Sequence, residues 1–193
     1  RFQHLDKKDF MYFRTLHSLA FRQLGVTKND VMKDEHFREL SNLLGIKLSN
    51  TNRKMDTFGF QMQDDVFAKV IDMARVRNIS LKQQFQEIGH LEGGWMKLKY
   101  IADGIKEYKK TRNLYDFTDM IIQFNKSNND EIIPEFDVFI IDEAQDLLPI
   151  QWTMVKKIMN KAARVYVAGD DDQSIFKWAG ANPQDLIGLN GER

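Results

Sequence analysis

The sequence predicts an α/β fold in which a layer of parallel strands with flanking helices is interrupted by an all-helical block. Residues 136–141 and 164–168 are short apolar runs rich in β-branched residues, with a helical stretch between them. This alternation is typical of a parallel sheet covered by helices. The preceding chain instead shows apolar spacings of three and four. We therefore expect residues 1–26 and 113–193 to form the α/β layer and residues 27–112 to form a helical insertion.

The composition limits the class of protein. The 193 residues are 42% apolar and include 14 Phe and 3 Trp, which is enough for a hydrophobic core. No run approaches the roughly 20 apolar residues of a membrane span, so we expect no membrane partner. The absence of cysteine excludes disulfides and thiolate metal sites. Because 28 basic residues balance 28 acidic ones, any nucleic-acid binding must come from local patches.

The first elements are a strand over residues 11–16 and a helix that Gly25 ends. Residues 30–48 have the pattern of short helical segments joined by turns. Residues 49–64 are rich in Asn, Thr, Asp and Gly, which predicts a loop. After that loop, apolar periodicity predicts helices over residues 65–78, 80–92, 95–110 and 114–124.

Local signals mark where these helices begin and end. Ser80 and Asp116 are the expected N-caps of two of them, and Asp119 is expected on the surface of the second. Gly93 and Gly94 break the chain between two helices. One apolar face of the 95–110 helix is expected to contain Met96, Tyr100, Ile101, Ile105 and Tyr108.

Basic residues also lie along one face of that helix. They are interleaved with Tyr108 and fit either a solvated helix face or a phosphate-binding surface. The solvated face is the favoured interpretation because it is the commoner one. The residues are Lys106, Lys109, Lys110 and Arg112.

Acidic residues follow both apolar runs of the α/β layer, whose helices are predicted at 149–161 and 183–188. Because parallel strands meet ligands at their carboxyl ends, we expect these acids at one edge of the sheet. Asp142 can hold Mg²⁺, and Glu143 can orient and deprotonate a water molecule. Gln173 can reach the same terminal phosphate. The pattern predicts half of a site that hydrolyses ATP.

The other half of such a site is a phosphate loop, G-x-x-x-x-G-K-[ST]. No glycine in this sequence is followed by lysine, so the motif is absent. The chain also begins at Arg1 within a polar and basic stretch. We therefore expect the 193 residues to be an internal piece of a longer protein, with the phosphate loop upstream.

Four segments resemble motifs of the UvrD/Rep/PcrA group of superfamily 1 DNA helicases. Residues 142–146 read D-E-A-Q-D and residues 169–181 read G-D-D-D-Q-S-I-F-K-W-A-G-A, which resemble the second and third helicase motifs. Residues 13–20 read F-R-T-L-H-S-L-A and resemble the motif before that group's inserted subdomain. Residues 114–120 read L-Y-D-F-T-D-M and resemble the helix that returns from it.

The resemblance implies a fold and an activity. The fold is a partial RecA-like motor domain with its inserted helical subdomain. The activity is ATP-driven translocation, 3′ to 5′ on single-stranded DNA, with separation of duplexes at junctions. A second motor domain carrying an arginine finger would follow downstream. The protein would act in the cytoplasm of a bacterium, or of its host if phage-encoded, in replication or repair; the oligomeric state is left open.

The resemblance also implies roles for individual residues. Glu143 is similar to the catalytic base, Asp142 to the Mg²⁺ ligand, and Gln173 to the sensor of the γ-phosphate. Asp170 would be a partner in the same cofactor-binding cluster. The carboxylates of this cluster would repel one another unless a cation lies among them.

DNA contacts are implied for two segments. Thr15 and His17 would lie near the DNA path, and Phe176, Lys177 and Trp178 would contact the strand, with the rings stacking on bases. The family has Arg directly after this Trp, whereas this chain has Ala, and Lys177 is the neighbouring cation.

Two other interpretations remain at this stage. The first is a non-hydrolysing, helicase-derived DNA-binding or scaffold module, which would explain the missing phosphate loop. The second is an unrelated phosphate-loop ATPase such as a transporter motor. The aromatic residues of the 173–178 segment argue against the transporter motor, because it has no use for base stacking there.

Overall fold

The computed structural model describes residues 14–48 and 66–189, which form a mostly helical α/β structure around a short parallel sheet. This confirms the predicted fold class. Within the described ranges, no helix is long and apolar enough to cross a membrane. The elements are α1 Leu16–Gln23, α2 Asp34–Leu44, α3 Val66–Val76, α4 Leu81–Ile88, α5 Gly94–Arg112, α6 Phe117–Lys126, β1 Phe139–Ile141, α7 Pro149–Met159, β2 Val165–Val167 and α8 Gln184–Ile187.

The sheet consists of two strands, shorter than the apolar runs that predicted them. β1 and β2 are parallel, and Ile141 is the register partner of Val167 at the C-terminal end. Helix α7 connects the strands and covers one face, where Trp152 packs near Ile141. On the other face, Ile140 and Tyr166 are paired and remain 68% and 57% exposed. The sheet therefore brings the two chain segments that follow its strands to one edge.

The predicted N-terminal strand is wrong where the structure describes it. Thr15 is the N-cap of α1, and its Oγ1 accepts a hydrogen bond from the Ser18 N–H at 3.2 Å. Leu16 is already helical, because the cap satisfies one of the free N–H groups of the first turn. Residues 11–13 lie outside the described residues, as does the loop predicted for residues 49–64.

The predicted N-caps at Ser80 and Asp116 and the predicted break at Gly93 and Gly94 are confirmed. Ser80 accepts a hydrogen bond from the Gln83 N–H at 3.1 Å and begins α4. Asp116 caps α6 and accepts from the Asp119 N–H at 2.7 Å. Gly93 and Gly94 both have positive φ and separate α4 from α5.

The predicted apolar face of α5 is only partly correct. Leu98, Ile101 and Tyr108 are buried, in agreement with a spacing of three and seven residues. Met96 and Tyr100 are instead 76% and 59% exposed, so their assignment to this face is wrong. The buried face follows Leu98, and it turns these two side chains toward the flank of the helix.

The insertion has hydrophobic clusters of its own. Phe67 and Val70 of α3 pack with Leu98 and Ile101 of α5, apart from the core formed by α1, α6 and α7. Val76, at the end of α3, is instead buried in the core formed by α1, α6 and α7. This arrangement supports the division at residues 27–112, which stays a prediction.

A cluster of charged side chains joins the insertion to α6. Arg75 of α3 donates to both carboxylate oxygens of Asp116, at 2.9 and 2.7 Å, and to Asp119 at 2.7 Å. Lys109 of α5 donates to the same two carboxylates, at 2.8 and 2.6 Å. Asp72 lies 3.2 Å from Arg75. These five residues are called the ion cluster. Asp119 is thus 19% exposed and ion-paired, so its assignment to the helix surface is wrong.

The charges of the ion cluster compensate one another almost completely. Burial disfavours the charged form of Asp116, but attraction and hydrogen bonds from Arg75 and Lys109 outweigh it and lower the pKa of Asp116 below 3.8. Three acids face two bases, and Asp72 is the surplus acid, since burial raises its pKa above 3.8 despite Arg75. The cluster therefore fixes α3 and α5 against α6 through paired, partly desolvated charges.

Candidate functional site

The residues after β1 and β2 form a common acidic edge. Asp142 and Glu143 directly follow β1. The loop after β2 contains three aspartates, Asp170 to Asp172, and then Gln173. The two segments are joined at the backbone, because the Ala144 N–H donates to the Ala168 carbonyl at 3.0 Å. The structure therefore brings together the residues for which the sequence predicts nucleotide chemistry. This set is called the acidic edge below.

Gln145 connects the two halves of the acidic edge through its side-chain amide. Its Nε2 donates to Glu143 Oε2 at 2.6 Å, and its Oε1 accepts from the Asp170 N–H at 3.0 Å. The residue is only 2% exposed. On the far side, Gln173 Nε2 donates to Asp170 Oδ2 at 2.6 Å. A chain of hydrogen bonds thus runs from Glu143 to Gln173.

The backbone at Glu143 has an uncommon conformation. Its φ of 53° and ψ of 41° lie in the left-handed region, which disfavours residues with a side chain by roughly 1–2 kcal/mol. The Asp142 carboxylate accepts the Glu143 N–H at 3.0 Å and supports this turn. Outliers of this kind concentrate at functional sites, where the surrounding structure holds them.

Gly169 allows the two segments to approach closely. A Cβ atom at this position would lie 2.6 Å from Gln145 Oε1, 2.8 Å from Leu186 Cδ2 and 3.2 Å from the Ala144 nitrogen. The amide of Gln145 therefore occupies space that any other residue at position 169 would fill.

The acidic edge lacks the cations that the ion cluster has. Among the described residues, none of its carboxylates has a Lys or Arg partner within ion-pair distance. Asp142, Glu143 and Asp170 are exposed, so a ligand can reach them. In the part of the chain that the structure describes, no group of three or more acidic or histidine side chains is arranged to hold a metal by itself.

These donors fit Mg²⁺ held together with a nucleotide. Mg²⁺ commonly binds one or two carboxylates and takes its other ligands from water and phosphate oxygens. Asp142 can supply such a carboxylate, because within the described ranges a single hydrogen bond, from the Glu143 backbone, engages its oxygens. A cation bound there would also reduce the repulsion between the acids.

The loop after the acidic edge carries the aromatic residues proposed to stack on bases. Trp178 is 47% exposed, whereas Phe176 packs partly against the core of α1, α6 and α7. Their ring centroids lie 6.4 Å apart at an interplanar angle of 57°. Lys177 between them is exposed. The two rings therefore have different environments, although the family resemblance implies the same stacking role for both.

The departure from the family motif at residue 179 has a packing explanation. Ala179 is 1% exposed and lies in the core with Met120 and Leu19. A long charged side chain would not fit there. Gly180 has a φ of 96° and lies against the side chain of Arg77, which brings a cation from the end of α3 beside this loop.

The two N-terminal candidates lie at the start of α1. His17 is half-buried, and its ring meets that of Phe117 edge-on at a centroid distance of 5.9 Å. Burial lowers the pKa of His17 below 6.5, although the charge of Asp116 opposes the shift. Thr15, His17 and Phe117 line an open depression of about 410 Å³. Thr15 also caps the helix, so a structural role accounts for its position.

The basic residues of α5 do not form one free surface. Lys109 belongs to the ion cluster. Arg112 pairs with Glu39 and lies over the ring of Tyr108, 4.7 Å from its centroid. Lys106 and Lys110 remain exposed. Arg112 is exposed as well, so the favoured interpretation of a solvated face holds for three of the four residues and fails for Lys109.

A family model supplies the class of protein. The model described as the UvrD/REP helicase N-terminal domain matches residues 3–192. Because the match covers nearly all of the sequence, the chain belongs to this family. The resemblance drawn from the four motifs is confirmed, and the alternative of a transporter motor is removed.

Individual relatives agree with the family. The chain is 37% identical over 89 residues to the ATP-dependent DNA helicase Rep of Salmonella typhimurium, a match that covers 43% of this chain and 13% of the relative. It is 37% identical over 87 residues to Rep of Escherichia coli, covering 42% and 13%. With the ATP-dependent DNA helicase PcrA of Staphylococcus epidermidis it shares 25% identity over 207 residues, covering 97% and 27%. The chain thus spans about a quarter or less of these relatives.

Proposed function

We propose that this chain is the part of an ATP-dependent DNA helicase that carries the acids for ATP hydrolysis and a segment for coupling to DNA. The observation that carries the proposal is the acidic edge, where Glu143, Gln145, Asp170 and Gln173 are linked by hydrogen bonds after two neighbouring parallel strands. Family membership and the names of the relatives supply the reaction class.

The acidic edge supports a division of roles. Asp142 would hold Mg²⁺, which supplies charge neutralisation at the phosphates when bound. Glu143 would accept a proton from the attacking water, as a general base. Gln173 would donate from its amide to the terminal phosphate, and Asp170 fixes that amide from the other side at 2.6 Å. Phosphoryl transfer depends chiefly on such positioning and charge stabilisation.

The segment after Gln173 supports contact with single-stranded DNA. Trp178 is exposed enough to stack on a base, and base–aromatic stacking is worth about 1–3 kcal/mol per base. Lys177 can contact a phosphate. Phe176 would act mainly by supporting the Trp178 ring from the core. Thr15 and His17 would contact the same strand from the start of α1.

The remaining features of the proposed motor come from the family likeness alone. We propose movement 3′ to 5′ on single-stranded DNA, action at duplex junctions, and a bacterial or phage origin with function in the cytoplasm. The phosphate loop and a second motor domain would be supplied by chain outside these 193 residues. We propose that the 193 residues do not hydrolyse ATP alone, because they lack a phosphate loop.

The test is Glu143→Gln in the product of the complete gene. We expect DNA-stimulated ATP hydrolysis to fall at least about 100-fold, the usual effect of losing a general base. Affinities for ATP and single-stranded DNA should be retained, because the substitution keeps the size of the side chain. A steady-state hydrolysis assay and equilibrium binding of both ligands measure these quantities.

Glu135→Gln is the matched control, since Glu135 is exposed and precedes β1. It should leave hydrolysis unchanged. Normal hydrolysis by the Glu143→Gln protein would overturn the assignment of the base. A wild-type protein that binds DNA but never hydrolyses ATP would instead establish the non-hydrolysing module.

A further inference from the structure

We propose that Gln145 is a positioning residue, which holds the Glu143 carboxylate and the loop of Gln173 in a fixed mutual arrangement. The inference rests on the proposed function, because it assigns Gln145 a part in the same reaction. Gln145 belongs to the D-E-A-Q-D segment, and its side chain lies between Glu143 and the loop after β2.

The amide of Gln145 has only one orientation that its surroundings accept. Its NH₂ group faces the Glu143 carboxylate, and its carbonyl oxygen faces the Asp170 N–H. A flipped amide would place oxygen against the carboxylate and NH₂ against the N–H, and both contacts would be repulsive. The orientation therefore follows from the chemistry of the two partners.

Burial raises the free-energy cost of breaking the hydrogen bonds of Gln145. Gln145 is 2% exposed, so water does not replace a lost partner. Its main-chain carbonyl also accepts from Ser174 Oγ at 3.2 Å, within the loop that carries Gln173. Next to it, Asp146 Oδ1 accepts from the Ile175 N–H at 3.1 Å. Three successive contacts thus tie one short segment to the other.

This geometry has a mechanical consequence. A shift of Asp170 moves the oxygen end of a rigid amide, and the NH₂ end then moves relative to Glu143. The Glu143 side chain is exposed. Within the described residues, the hydrogen bond from Gln145 is the interaction that holds its carboxylate in place. The position of the base therefore depends on the position of the loop that carries Gln173.

The experiment uses Gln145→Met in the product of the complete gene. Methionine keeps the volume of the side chain and removes both hydrogen bonds. We expect kcat for DNA-stimulated ATP hydrolysis to fall about tenfold or more, with the KM for ATP changed less than about threefold. Gln84→Met is the matched control, because Gln84 is another buried glutamine and lies away from the acidic edge, in α4. It should leave kcat unchanged.

A double variant separates positioning from general damage. Because Gln145 acts through Glu143, adding Gln145→Met to Glu143→Gln should lower hydrolysis by less than about twofold further. Wild-type kcat in Gln145→Met, or full additivity in the double variant, would overturn the inference. If Glu143→Gln alone hydrolyses normally, the proposed function fails. If Glu143→Gln is inactive and Gln145→Met is normal, only this inference fails.

Discussion

The ion cluster and the acidic edge are both rich in carboxylates, and they differ in how their charge is balanced. In the ion cluster, Asp116 and Asp119 each bind both Arg75 and Lys109 at 2.6–2.9 Å. At the acidic edge, the described residues supply hydrogen bonds but no ion pair. The first group is largely buried, whereas Asp142 is exposed.

This difference in charge balance indicates a structural role for the acids of the ion cluster and a ligand-binding role for those of the acidic edge. Buried charges with complete partners stabilise one arrangement of the helices that carry them. Exposed acids without a basic partner gain from an incoming cation, because it reduces their mutual repulsion. The balance of charge, more than the number of acids, therefore distinguishes the two groups.

The largest expected effect comes from removing a cation of the ion cluster. Lys109→Met leaves Asp116 and Asp119 with Arg75 alone, so we expect the free energy of unfolding to fall by about 3–5 kcal/mol. Lys110→Met is the control on the same helix, because Lys110 is exposed. It should change the free energy by less than about 0.5 kcal/mol. Chemical denaturation measures both values, and equal losses would contradict a stabilising role for the cluster.

A matched pair of aspartates sharpens the comparison. Asp116→Asn keeps the N-cap acceptor but loses the charge, and we expect a loss of about 1.5–3 kcal/mol in the free energy of unfolding. Asp142→Asn at the acidic edge should change it by less than about 0.5 kcal/mol.

Acid should reduce the effect of Asp116→Asn. The pKa of Asp116 is lowered in the folded protein, so its contribution to stability is present above the unfolded value of 3.8 and is lost as the pH falls through the folded value. The difference between Asp116→Asn and wild type should therefore shrink below pH 3.8. A constant difference across this range would contradict the ionised state of Asp116.

The smallest expected effect concerns His17, beside Asp116. Burial lowers the pKa of His17 below the unfolded value of 6.5. Its contribution to stability is therefore present above pH 6.5 and is lost as the pH falls through the folded value. His17→Gln should lose less stability than wild type between neutral and mildly acidic pH. Equal pH dependence of the unfolding free energy would show that His17 ionises alike in both states.

Local patterns in the sequence predicted most of the elements. The caps at Ser80 and Asp116 and the breaks at Gly93 and Gly94 depend on neighbouring residues, so they were visible. The strand predicted over residues 11–16 was wrong at its described residues 14–16, because a short and partly apolar run does not distinguish a strand from the start of a helix. The exposure of Met96 was missed for a related reason, since α5 has apolar residues on more than one face.

Long-range contacts were harder to predict. The spacing of Asp116 and Asp119 suits a reciprocal cap, but their partner Arg75 lies 41 and 44 residues away. Nothing local marks that pairing. The convergence of the acidic edge was predictable from parallel strands, whereas the two-ended contact of Gln145 required coordinates. The roles of the site residues remain predictions.

Gly169 constrains how this protein can evolve. The oxygen of Gln145 lies 2.6 Å from the point where a Cβ atom would be, and the Ala144 nitrogen lies 3.2 Å from the same point. Even a single methyl group would have to displace the amide or separate the strand ends. A side chain at position 169 would therefore require a compensating change at Gln145, Ala144 or Leu186. The residues that the chain tolerates in these two segments therefore depend on each other, although the segments are far apart in the sequence.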